Sequence, residues 1–161
     1  AMENNTQTVL TIMAQEIAQA LRPWALYQDH MVSNPYEHSM TANQHIDRYN
    51  KYLNRLQESL SEAYVRSHQF QMYADDVCTD TQARLCADFT EAIVKHIEAI
   101  VIDAFKNNIP PNFLDNKEKD VVQVLHFVKS VNKDVFNAYR LAMHLVTYIK
   151  TEIPCNNVDC E

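Results

Sequence analysis

The chain has 161 residues, 47% of them hydrophobic and 22% charged, with a formal net charge of −7 and no glycine. A single domain of that length buries one core unaided, and the apolar share is that of a folded protein rather than a disordered one. Without glycine the phosphate-cradling loop, the dinucleotide fingerprint, the nucleophile elbow and the tight hairpin turn are all excluded.

The negative charge is spread along the chain and no basic stripe stands out, so no nucleic-acid partner is expected. The balance favours a soluble, acidic protein and leaves room for a basic protein partner. No apolar run reaches the roughly 18 residues that a membrane span needs.

Four amphipathic stretches predict helices over about 6–30, 41–77, 80–108 and 116–151, followed by a tail over 152–161. The first places Val9, Met13, Ile17, Ala20 and Trp24 on one side, with Ile12, Leu21 and Tyr27 beside them. Pro23 interrupts it. A proline inside a helix costs about 3 kcal/mol, so a kink over 19–22 or a break is expected. Ser33, Asn34 and Pro35 then make a turn.

Thr41 with Gln44 has capping-box spacing, in which each side chain bonds the other residue's backbone N–H. The second helix then repeats Ala42, Tyr49, Leu56, Ala63, Phe70 and Val77, interleaved with Ile46, Leu53, Leu60 and Ala74. Thr79 with Gln82 repeats the cap almost at once, and so short a link favours neighbouring antiparallel helices. The third helix buries Cys86, Phe89, Ile93, Ile97 and Ile100, with Val94 and Val101 on a second side; Asn107, Asn108, Pro110 and Pro111 end it. Asp115 with Glu118 caps the fourth, and Pro154 stops it.

The fourth helix is the most apolar. Val121, Val128, Val135, Ala142 and Ile149 form one heptad series, Val124, Val131, Ala138 and Leu145 a second, and Leu125, Asn132, Tyr139 and Val146 a third. Recurrence at three, four and seven is one helical face, about 46 Å long over 120–150 at ~1.5 Å per residue. So broad a face asks for several neighbours. The prediction is a single all-α domain over 1–161, an antiparallel up-down-up-down four-helix bundle with its first helix kinked or broken near Pro23.

That topology gathers the cysteines. Cys78 sits between the second and third helices, Cys86 two turns into the third, and Cys155 and Cys160 just past the fourth; an antiparallel bundle puts all of these at one end. Free thiols, with Cys86 as a small core residue, are the plain reading. Disulfides tying the tail to the corner come next, and a zinc site built from all four, with spacings outside the usual ligand gaps, comes last. Cys78 with Cys86 is a poor pair. Eight positions at 1.5 Å per residue separate them by ~12 Å, against a Cα limit of ~7 Å for a disulfide. The compartment follows the cysteines: reduced thiols fit the cytoplasm, disulfides a secreted protein.

Seven histidines invite a metal hypothesis. His38 and His45 are seven apart with His30 and Glu37 nearby, but a di-iron bundle needs Glu-x-x-His on two helices, and none occurs. His96 falls beside the core series of the third helix; His126 and His144 fall on the outer side of the fourth. No metal site is assigned and no cofactor is called for. Arg140-Leu-Ala-Met-His144 resembles the Arg-x4–6-His motif of HEPN-type ribonucleases, which are also compact helical bundles. The gap here is three residues, shorter than the motif's, and the likeness covers five residues of the chain. It implies an RNA-cleaving pair at Arg140 and His144; two exposed polar residues one turn apart is the favoured reading.

Function is therefore argued by exclusion. No catalytic constellation is visible, and the leading expectation is a non-enzymatic module that binds another protein, as an adaptor, an inhibitor or immunity-type protein, or a secreted effector. Val122, Phe136 and Met143 line one flank of the fourth helix, and Phe127, Leu141 and Tyr148 the other. A four-helix bundle need not cover both, and an uncovered apolar patch marks a contact site. Self-association into a homodimer is its simplest use. The alternatives are a ligand- or metal-binding bundle with a site between helices built from His38, His45 and Glu37, and a HEPN-like ribonuclease.

Overall fold

The apolar stripes fold into four α-helices in the computed structural model, which describes residues 5–26, 42–102 and 117–154, with side chains over 42–50, 53 and 117–129 excepted. They are α1 (Thr6–Ala25), α2 (Ala42–Val77), α3 (Asp80–Val101) and α4 (Lys117–Glu152). Among the described residues there is no strand. The helix α1 packs against α2 and α4, and α3 packs against the same two. Each helix thus has two main neighbours around one core, which is the expected all-α bundle.

Specific contacts show how neighbours are set. On α1, Glu16 pairs with Arg66 of α2 at 3.5 Å; further along, Trp24 meets Ser59 through its indole N–H and Tyr52 edge-on at 5.4 Å. Partners on α2 fall as positions on α1 rise. The same holds between α3 and α4, where Phe89 meets Tyr148 at 5.9 Å and His96 meets Asp134 at 3.4 Å.

The core follows the heptads closely on α2, α3 and α4. Leu56, Leu60, Ala63, Phe70 and Ala74 are buried on α2, Cys86, Ile93, Ile97 and Ile100 on α3, and Val131, Val135, Ala138, Ala142, Leu145, Val146 and Ile149 on α4. Burying one such Leu, Ile or Phe side chain is worth roughly 1.5–3 kcal/mol. Polar residues also enter the seam. Ser67, a heptad after Leu60, is buried and donates to the Ala63 carbonyl.

On α1 the buried face is turned from the expected one. Leu10, Ala14, Ile17, Leu21 and Trp24 are buried, whereas Ile12 is 50% exposed and Val9 and Met13 are half-buried. The stretch is apolar around much of its circumference, so several stripes compete. The one with Ala14 and Ala18 at its centre lets neighbouring helices approach most closely.

The ends are capped as the chemistry requires. Asn5 accepts from the Gln7 N–H at 2.9 Å to start α1. Thr79 and Gln82 complete the expected capping box at the start of α3. The helix α1 continues through Pro23 to Ala25, where the Leu26 N–H returns to the Arg22 carbonyl at 3.0 Å. So near the end, the missing proline N–H interrupts only the final turn. The predicted continuations over 27–30 and 103–108, the turn at Ser33–Pro35 and the caps at Thr41 and Asp115 lie outside the described residues.

Candidate functional site

Between α2 and α3 the packing changes character along the seam. Near the corner that joins them, Gln71 laces the two helices: its amide donates to the Ala83 carbonyl at 3.2 Å and to Asp75 Oδ1 at 2.7 Å, while its oxygen accepts from the Thr90 hydroxyl at 3.1 Å. Farther from the corner lies a polar groove of about 330 Å³, bordered by His68, Glu91 and Lys95.

Beyond it the two helices border a larger cleft of about 660 Å³ lined by Leu60, Tyr64, Val65, Ile97, Val101 and Ile102. This volume lies within the range of ligand-sized sites. Val65 is 51% exposed and Ile102 46%, so apolar surface that a closed core would hide stands at the rim. Tyr64 meets His68 edge-on at 4.5 Å. On the side of Val65 that faces α1, Arg66 pairs with Glu62 and Glu16 beside a separate shallow pocket. Glu98 lines both the cleft and the polar groove.

The corner itself holds two of the cysteines. The Cys78 N–H closes α2 on the Ala74 carbonyl at 2.9 Å, and Thr79 then caps α3. Cys78 therefore lies in the bend rather than on the helix with Cys86. Side chains on a helix lean toward its N-terminus, which brings the fully buried Cys86 back toward the corner.

Burial, then the thiol neighbour and the Asp75 carboxylate, push Cys86 up to about 12. Cys78 is also raised, by burial and then by Asp75, with the Cys86 S–H opposing them. Burial likewise raises Tyr148 of α4, assisted by Cys86, Glu152 and Cys78. The last turns of α4 thus border the corner.

The remaining candidates divide as follows. Phe136 and Met143 stand on α4 at 41% and 42% exposure. On the other flank Tyr148 is half-buried against Phe89, and Leu141 is half-buried against the core. Val122 and Phe127 fall on α4 among the positions whose side chains are not described, as does His126; His45 does so on α2. His30, Glu37, His38, Cys155 and Cys160 lie outside the described residues altogether. Both described cysteines, Cys78 and Cys86, are free thiols. Among the described residues no three His, Cys, Asp or Glu side chains group as metal ligands, and no helix is long and apolar enough to cross a membrane. Arg140 and His144 are both exposed. The cleft residue Val65 was hidden from sequence reasoning, since it lies two positions from the heptad position Ala63 and only the spacing of α2 from α3 leaves it uncovered.

A scan against protein-family models found no match to this chain, and searches of curated proteins and of solved structures found none either.

Proposed function

We propose that the chain is a non-enzymatic helical module that binds another protein through apolar helix surface, with the α2–α3 cleft as the main contact. The supporting observation is the cleft lined by Tyr64, Val65, Ile97, Val101 and Ile102, open to solvent with Glu98 at its edge. Apolar and aromatic side chains rimmed by charge are what protein interfaces use for their central contacts. Phe136 and Met143 supply a second, smaller exposed apolar site on α4.

The test places a photo-crosslinking amino acid at Val65 in the full-length chain, identifies the crosslinked protein, and measures its affinity. Val65→Asp is expected to weaken binding at least about tenfold, the ~1.4 kcal/mol loss of a central contact, with helical content unchanged. Light scattering at the same concentrations separates a second copy of the chain from a different partner. Undiminished binding by Val65→Asp removes the cleft from the interface.

A further inference from the structure

We propose that the partner of the α2–α3 cleft is a basic amphipathic helix. It lies along the two helices with its apolar side chains in the cleft and its lysines or arginines over Glu91 and Glu98. The inference rests on the protein-binding reading and names the chemistry of the partner.

Length, polarity and charge carry it. The apolar cleft and the polar groove are continuous, because Glu98 lines both. Their α2 wall runs from Gln57 to Gln71 and their α3 wall from Ala87 to Ile102. That makes a trough of about 21 Å at ~1.5 Å per residue, the length of an α-helix of about 14 residues. A helix laid along two others seats its side chains between their ridges. Polarity changes along this trough rather than across it. Leu60, Val65, Ile97 and Ile102 line the end far from the corner, and Gln71, Thr90 and Glu91 the end near it. A helical occupant therefore needs apolar anchors at i, i+3, i+4 and i+7 over one half, and polar groups over the other.

The sign of those polar groups follows from α3. Glu91 and Glu98 are both exposed and lie seven residues apart on one side of the helix. Among the described residues neither joins an ion pair. Lys95 borders the same groove and pairs with neither, and His68 stands on the α2 side. Two carboxylates beside one ammonium, in a chain of net charge −7, favour a cationic occupant. A second copy of the chain meets the opposite balance, because two-fold pairing through the trough sets one acidic face against another.

The probes are two helical peptides of about 14 residues, bridged between side chains because isolated helices so short are marginal. Both carry leucines at the anchor positions. One has lysines over the following turns and the other has glutamates. The lysine peptide is expected to bind the full chain about tenfold more tightly at about 0.05 M salt. The advantage is expected to vanish at about 1 M salt, where charges are screened beyond ~3 Å. A Glu91→Gln/Glu98→Gln double variant, altered only at exposed positions, is expected to reduce the preference to about twofold or less. Its binding of the glutamate peptide is expected not to fall. Equal binding of the two peptides, or no binding of either, overturns the proposal, as does a preference that survives in the double variant. Val65→Asp keeps the two readings apart. If it weakens both peptides while their affinities are equal, the basic partner falls and the cleft stands as a contact; if it weakens neither, the cleft itself falls.

Discussion

On the side where α1 meets α4, Leu10, Ala14, Ile17 and Leu21 of one helix and Val135, Ala138, Ala142, Leu145 and Ile149 of the other are fully buried. Across the bundle, α2 and α3 are joined by the bonds of Gln71 to Ala83 and Thr90 and leave Val65 and Ile102 half exposed. Alanines on both helices of the first seam let backbones come close and the larger side chains interdigitate. The second seam is held by directional bonds, each worth only about 0.5–1.5 kcal/mol net, and these tolerate an open cleft beside them. Stability is thus concentrated where nothing remains to be bound, and apolar surface remains where stability is least at stake.

Substitutions that treat the two seams alike should separate them. Ile17→Ala is expected to have the largest effect, about 2–5 kcal/mol of lost stability from transfer and cavity terms, read as a lower urea midpoint with an unchanged slope. Gln71→Ala should cost less, about 1–3 kcal/mol, because two bonds between the helices are lost, from the Gln71 amide to the Ala83 carbonyl and from the Thr90 hydroxyl to Gln71, while Thr90 keeps the Ala87 carbonyl as acceptor. An equal loss from both would mean that the α2–α3 seam is packed as tightly as the other.

The smallest effect belongs to pH. Folding holds the Cys86 proton up to about 12, whereas an ordinary thiol releases it near 9.0. The folded pKa is raised, so this contribution is complete below about pH 9 and is lost as pH climbs from there toward 12. Between about pH 8 and about pH 10 only the start of that loss falls within range. Cys86→Ala should show a shallower decline of the urea midpoint over that interval than the wild type. Equal slopes would contradict a buried, protonated thiol at the corner.

Much of the bundle was legible in the residues. The α2 and α4 heptads read directly onto the core from Leu56 to Ala74 and from Val131 to Ile149, because a fixed helical period leaves one choice of face when polar residues fill the rest. The Thr79–Gln82 box was legible for the same local reason. On α1 the period alone was insufficient, since Val9, Ile12 and Met13 offered a rival stripe to Leu10, Ala14 and Ile17. Choosing between them depends on how closely neighbours approach, which alanine governs and hydrophobicity does not. The cleft was illegible for a broader reason: exposure of Val65 is set by the spacing of two helices, and no single stretch encodes it.

One contact ties the timing of folding to the layout of the chain. In the first turn of α1, the Gln7 amide donates to the Lys150 and Ile153 carbonyls at the far end of α4, at 3.2 and 2.8 Å. Gln7 and Lys150 are 143 residues apart, which a ribosome moving at about 5–20 residues per second takes roughly 7–30 s to cover. During that interval α2 is completed by Val77 and can cover one side of α1, while the α4 side stays open. The best-buried seam of the finished protein closes only when the end of α4 has been made, and for those seconds Leu10, Ala14 and Ile17 lack the helix that covers them.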